Sequence, residues 1–166
     1  MAANVVTPEQ FKAALGSWAA GVTVVTTKLD GMVYGLTVSS FSSLSMDPRL
    51  ILVCLADSNR LPRMIETSEV FGVSVLAEGQ DDISGWFSKS GREPLRAFPD
   101  EIRTVEAATG APLIDGALAH IDCELEAALP GGDHTIMVGR VVSADAHGDR
   151  KPLIYYRRGY RGLVLD

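Results

Sequence analysis

Asp30-Gly31 stands between two runs rich in β-branched residues, 22–29 and 32–39. A two-residue turn of this kind needs positive φ at both positions, which Asp and Gly tolerate, and it closes a tight hairpin. The pair therefore commits the chain to antiparallel pairing early. Further runs of strand character recur at short intervals. Residues 50–55 (LILVCL) read as a fully buried strand, and 71–76 as another. In 119–129, Ile121, Cys123, Leu125 and Ala127 alternate with Asp122, Glu124 and Glu126, the pattern of a half-buried strand. Gly131-Gly132-Asp133 interrupts it, 135–142 pair back, and 153–156 form a last short strand. Sequential short strands joined by turns predict a mainly β protein, a closed or partly closed antiparallel barrel. Regular strand–helix alternation is absent, which excludes a doubly wound α/β fold.

Helices are few. Thr7-Pro8-Glu9-Gln10 carries a cap, a proline at the first helical position and a capping-box partner. Phe11, Ala14, Leu15 and Trp18 follow at helical spacing, up to a stop at Gly21. A short helix is expected over 58–67, opened by Ser58 and Asn59, and another over 80–87 with Ile83, Trp86 and Phe87 on one face. Residues 89–112 are rich in Gly, Pro and charge and read as a long connection with little regular structure. Connections of that length tend to be functional or to pack across an interface. No repeat or linker divides the chain, so 1–166 is read as one domain.

Size and charge narrow the function. At 166 residues and 46% hydrophobic content, the chain can bury a sizeable core without disulfide or metal staples. A net charge of −6 argues against nucleic acid and against an anionic membrane surface. No apolar run is long enough to span a bilayer, and the N-terminus lacks the pattern of a signal peptide. Cys54 and Cys123 sit in apolar runs and read as buried free thiols of a cytoplasmic protein, with one disulfide as the alternative. No G-x-G-x-x-G, P-loop or G-x-S-x-G motif occurs. His120, His134 and His147 lack the paired spacing of a zinc site, so no metal is expected.

Residues 35–48, GLTVSSFSSLSMDP, crowd hydroxyls among apolar side chains with little charge. Such a stretch, read as a strand end becoming a loop, offers backbone groups and small hydroxyls to a ligand. Serine-rich loops also serve their own backbone through local turns.

Four stretches in order, GVTVVTT at 21–27, the serine-rich 35–48, FGVSVL at 71–76 with Phe87, and GDHTIMVGRV at 132–141 followed by PLIYY, resemble the flavin reductase family. Its members are the small components of two-component flavin monooxygenases. The resemblance implies a split β-barrel, antiparallel and Greek-key-like, with a few short flanking helices. It implies FMN (or FAD) as cofactor and NADH (or NADPH) as hydride donor, with hydride passing from nicotinamide C4 to flavin N5. By the same resemblance Thr37, Val38, Ser39 and Ser40 follow the ring edge, with Ser45 nearby and Cys54 and Leu55 on the other side. Ser58 and Asn59, at a helix N-terminus, are candidates for the phosphate, with Lys89 as a second. Phe87 contacts or shields the flavin. His134, the catalytic candidate, stands beside the nicotinamide, and Tyr155 or Tyr156 lines the same cavity. The remaining histidines read as structural or exposed. Expected partners are a second copy of the chain and a flavin-dependent monooxygenase supplied by diffusion of reduced flavin. Two other readings are a non-catalytic flavin- or haem-binding split barrel, and an oxidase using bound FMN on a phosphorylated vitamin-like substrate. The second calls for a basic phosphate clamp, and no such cluster is evident.

Overall fold

A computed structural model describes residues 6–164; the first part of the N-terminal stretch read for a signal lies outside the described residues. In chain order the elements are α1 (Pro8–Leu15), β1 (Ala20–Gly21), β2 (Thr23–Leu29), β3 (Met32–Val38), β4 (Phe41–Met46) and β5 (Arg49–Ala56). Then come α2 (Leu61–Ser68), β6 (Val70–Val75), α3 (Asp81–Phe87), β7 (Thr104–Glu106) and β8 (Pro112–Ile114). The last are β9 (Ala119–Pro130), β10 (His134–Ala146), β11 (Ile154–Tyr156) and β12 (Gly159–Arg161). All strand pairs are antiparallel. The main sheet has seven strands in the order β3-β2-β6-β9-β10-β5-β4.

The Asp30-Gly31 hairpin forms as expected: φ is 50° and 74°, and β2 pairs β3 from Thr23↔Val38 to Leu29↔Met32. The serine-rich stretch departs from expectation. Its second half is a strand, β4, paired with β5 from Phe41↔Val53 to Met46↔Arg49 with an irregularity between Ser43 and Ser45. Pairing with a neighbour gives the backbone a ladder that its weak β-propensity would not predict. As a result β3 and β4, joined only through Ser39 and Ser40, occupy opposite edges of the sheet. The sheet curls so that one short connection bridges both edges, and the barrel is split at that seam.

β5 is not fully buried. Ile51, Val53 and Leu55 enter the core while Leu50, Leu52 and Cys54 are only half-buried, because one face of the strand is turned away from the barrel interior. Cys54 is therefore accessible; it and Cys123 are both free thiols. On β9 the polar face is not wholly solvated. Asp122 is buried, accepting from the backbone N–H and hydroxyl of Thr109 at 2.9 and 2.6 Å.

Two core clusters fill the structure. Val25, Tyr34, Val53, Phe71 and Met137 belong to the barrel interior, with Leu61, Met64 and Ile65 of α2. Val24, Leu76, Phe87, Ile102 and Ile114 form the second, against Trp86 and Phe98. Residues 89–112 thus cover their own chain: Leu95 bridges Val33, Phe98 meets Phe87 edge-on at 5.0 Å, and β7 pairs β8. Helix α1 has its capping box but ends at Leu15, with Gly16 as cap, short of the expected Gly21. It buries none of its residues, and Phe11, Leu15 and Trp18 are exposed. No described helix is long and apolar enough to cross a membrane.

Candidate functional site

The seam between β3 and β4 opens into a cavity of about 350 Å³. Its walls come from the end of β3 (Leu36, Thr37, Val38), the connection Ser39-Ser40, and the end of β5 (Cys54, Leu55, Ala56). Asn59, the segment from Phe87 to Ser90, and His134 complete it. Ten sequence-predicted residues, separated by up to 97 positions, therefore meet around one space. Ser45 and Ser58 do not line it.

The hydroxyls at the seam are not equivalent. Thr37 donates to the carbonyl of Ser84 at 2.6 Å and so anchors α3 to β3. Ser40 donates to the carbonyl of Cys54 at 2.8 Å, and the Cys54 N–H returns a bond to the Ser40 carbonyl at 3.1 Å. Each spends its only proton on the scaffold. Ser39 has no register partner. Pairing with β2 ends at Val38, and pairing with β5 begins at Phe41. Its backbone and exposed side chain face the opening. The local-turn use of serines and the ligand use thus divide between neighbouring residues.

The other walls also differ in kind. Val38 and Leu55 are core side chains, 6% and 1% exposed, so they support the cavity rather than offer it a surface. Phe87 is fully buried between Trp86 and Phe98, edge-on to both. It braces the wall and presents no free face. Helix α2 begins at Leu61, after Ser58 and Asn59, and its N-cap is Arg60. The Asn59 N–H is already bonded to the Ala56 carbonyl at 3.0 Å. Asn59 therefore reaches the cavity as a loop side chain, and the helix N-terminus does not serve it. Pro62 in the first turn fits the late start, since it has no N–H with which to close a helical bond back to the Ser58 carbonyl.

Lys89 and Ser90 supply a cation and a hydroxyl, while the Ser88 hydroxyl is spent on the Gly85 carbonyl at 2.9 Å. The sequence reading missed both serines and what holds them. Arg92 donates to the carbonyls of Gly35 and Phe87 at 2.5 and 2.9 Å, and its Nε to that of Lys89 at 3.2 Å. Its guanidinium lies over the Trp86 ring, 4.4 Å from the centroid. Burial depresses its pKa, against the opposing influence of Tyr34. Arg92 ties the 87–90 segment to β3; a basic residue shortly after an aromatic helix end was the available signal.

His134 opens β10 opposite Ala56 of β5. Its Nδ1 lies 2.7 Å from Asp133 Oδ1. The hydrogen bond and the charge of His134 hold the Asp133 carboxyl below its usual range. An ionised carboxylate only accepts, so Nδ1 carries the proton and Nε2 is the nitrogen left for a ligand. The ring is partly exposed, at the mouth.

A second, larger cavity of about 620 Å³ adjoins the first and shares Ser39, Ser40 and Cys54 with it. Trp18, Phe41, Tyr155, Arg157 and Arg158 are among its walls. Tyr155 therefore lines the adjoining cavity and not the one that His134 lines, and Tyr156 lines neither. A slot with one uncommitted strand end along its edge, and a lysine, a serine and an asparagine among its walls, fits a flat, polar-edged ring bearing an anionic tail.

Residues 15–164 match the family described as flavin reductase like domain. The reductase subunit HsaB of a flavin-dependent monooxygenase from Rhodococcus jostii (strain RHA1) is 39% identical over 166 residues, 100% of this chain and 83% of that protein. An NADH-dependent flavin reductase from Rhodococcus sp is 38% identical over 163 residues, 96% and 89% of the two chains. Among solved structures, the NADH:FAD oxidoreductase SgcE6 of Streptomyces globisporus C-1027, in complex with NAD and FAD fragments, superimposes with a TM-score of 0.89 at 32% identity, covering 99% of each chain.

Proposed function

The chain belongs to the flavin reductase family, and we propose that the cavity at the barrel seam is where it holds flavin for reduction. The protein is an NADH-dependent flavin reductase that supplies reduced flavin to a separate monooxygenase component. When bound, the nicotinamide and the flavin supply the redox chemistry themselves, a hydride passing between them. The chain's own work is to bind, orient and exclude water. Ser39, with its unpaired backbone, follows the polar edge of the ring. Thr37 and Ser40 hold that edge in place through α3 and β5. Lys89, Ser90 and Asn59 take the phosphate end. His134, its tautomer set by Asp133, presents Nε2 to the nicotinamide carboxamide and fixes the donor ring over the acceptor.

The observation that carries this assignment is the convergence of the uncommitted Ser39, Lys89 and His134 on one cavity. The test is direct. Purified protein mixed anaerobically with FMN or FAD and NADH should bleach the flavin and consume NADH, and a Ser39→Leu protein should need more flavin to do so. Flavin binding without NADH consumption would favour the non-catalytic split-barrel reading instead.

The reading extends to one 1–166 domain acting in the cytoplasm as a homodimer. The exposed apolar side chains of α1 and Trp18, which is 76% exposed, sit beside the larger cavity and support a second copy as their cover. Sedimentation should give twice the chain mass at micromolar concentration; an active monomer would refute it.

A further inference from the structure

The end of the β9–β10 hairpin opposite His134 gathers ligand-type side chains that the reductase chemistry does not use. His120 and Asp145 are direct register partners across β9 and β10, and His147 follows two residues later. One ligand atom from each of the three lies within 4.8 Å of the others. His120 is buried, and its Nε2 lies 2.8 Å from the carbonyl oxygen of Ile114. A carbonyl only accepts, so Nε2 carries the proton. In the neutral ring Nδ1 then turns a lone pair toward Asp145 Oδ1, 3.2 Å away. Two acceptors face each other there unless a proton or a cation lies between them. The His147 ring stands edge-on to that of His120, centroids 5.6 Å apart, and its backbone N–H is fixed by the Leu118 carbonyl at 2.8 Å.

We propose that His120, Asp145 and His147 bind a divalent transition-metal ion of the zinc class. Two imidazoles and a carboxylate are a donor set that suits zinc and its neighbours rather than magnesium or calcium. Ligand atoms on one tetrahedral zinc stand about 3.4 Å apart, given metal–ligand bonds near 2.0–2.2 Å. The His120–Asp145 separation is already that close, and the exposed Asp145 side chain is free to adjust. A histidine that ligates a metal usually donates its other N–H to a carbonyl or carboxylate, and the Ile114 carbonyl provides this contact. The ion ties the end of β10 and the turn after it to β9. Its place at the far end of the hairpin makes it independent of the flavin site.

The test is calorimetric titration of Zn²⁺ into chelator-treated protein. One ion per chain is expected, with affinity at least about tenfold weaker in His147→Ala and in Asp145→Asn, and unchanged in His134→Ala and Cys54→Ser. Zn²⁺ should raise the thermal midpoint of the wild type and not that of His147→Ala, while both melt alike in chelator. No saturable uptake, uptake undiminished in His147→Ala and Asp145→Asn, or uptake lost with His134 or Cys54 would overturn the proposal. The first result would leave a proton, not a metal, between His120 and Asp145.

Discussion

His134→Ala separates the two halves of the proposed site. The imidazole makes one contact with the protein, through Nδ1 to Asp133 at 2.7 Å, and leaves Nε2 for the nicotinamide. One hydrogen bond between neutral partners contributes roughly 0.5–1.5 kcal/mol, about two- to thirteenfold in affinity. The His134 side chain is 43% exposed, so water competes for that bond and the lower part of the range applies. KM for NADH should therefore rise about two- to fivefold. Positioning is the larger effect, since misplacing the donor ring by an ångström lowers the rate by about a hundredfold. Flavin affinity should stay within about twofold, because the one bond lost is assigned to the nicotinamide. The assay is stopped-flow reduction of flavin-loaded protein by NADH, paired with a fluorescence titration of flavin on the same variant. A variant that loses flavin, yet reduces what remains bound at the normal rate, would move His134 to the flavin side and refute the assignment.

Ser39→Leu should weaken flavin binding more than Ser43→Leu, because Ser39 faces both cavities while Ser43 lies on β4 outside them; equal titration curves would sink the placement of the ring. In native protein an alkylating reagent should label Cys54 alone and more slowly with FMN present, since burial, with Asp122 adding to it, pushes the Cys123 thiol up to about 12 and only a thiolate reacts. Mass spectrometry of the labelled peptides reads this out. Gly35→Ala would bring a methyl to 2.8 Å from Thr26 Cγ2, 2.9 Å from the Val25 carbonyl and 3.0 Å from Phe87 Cε1. That crowding should cost roughly 1–3 kcal/mol, visible as a Tm lower by roughly 2–4 °C for each kcal/mol.

Much of this was legible because it is local. The Asp30-Gly31 turn and the Thr7 capping box are each decided by a few adjacent side chains, and both appear where expected; β9 forms as a strand, but its alternation is broken where Asp122 is buried. What was not legible depends on distant partners. β4 is a strand because β5 lies beside it, and nothing within FSSLSM reveals that neighbour. Which hydroxyls are spent on the scaffold follows from Ser84 opposite Thr37 and Cys54 opposite Ser40, 47 and 14 residues away. His120 and Asp145 are paired by a hairpin that spacing rules for metal motifs do not see.

A barrel laced shut around its whole girth admits a flat guest only by unlacing strands. Among the described residues the covalent crossing of the gap is Ser39-Ser40 alone, and no ladder bonds span it. Loading and unloading are then limited by the guest's own contacts, with the walls stationary. For a carrier that must surrender its cargo on every cycle, dwell time is tuned at the lip of the slot and folding stability in the staves, and selection on one leaves the other alone. Amide exchange in β9 and β10 should accordingly stay slow throughout turnover, while residues 39 and 40 exchange at the pace of the departing cargo.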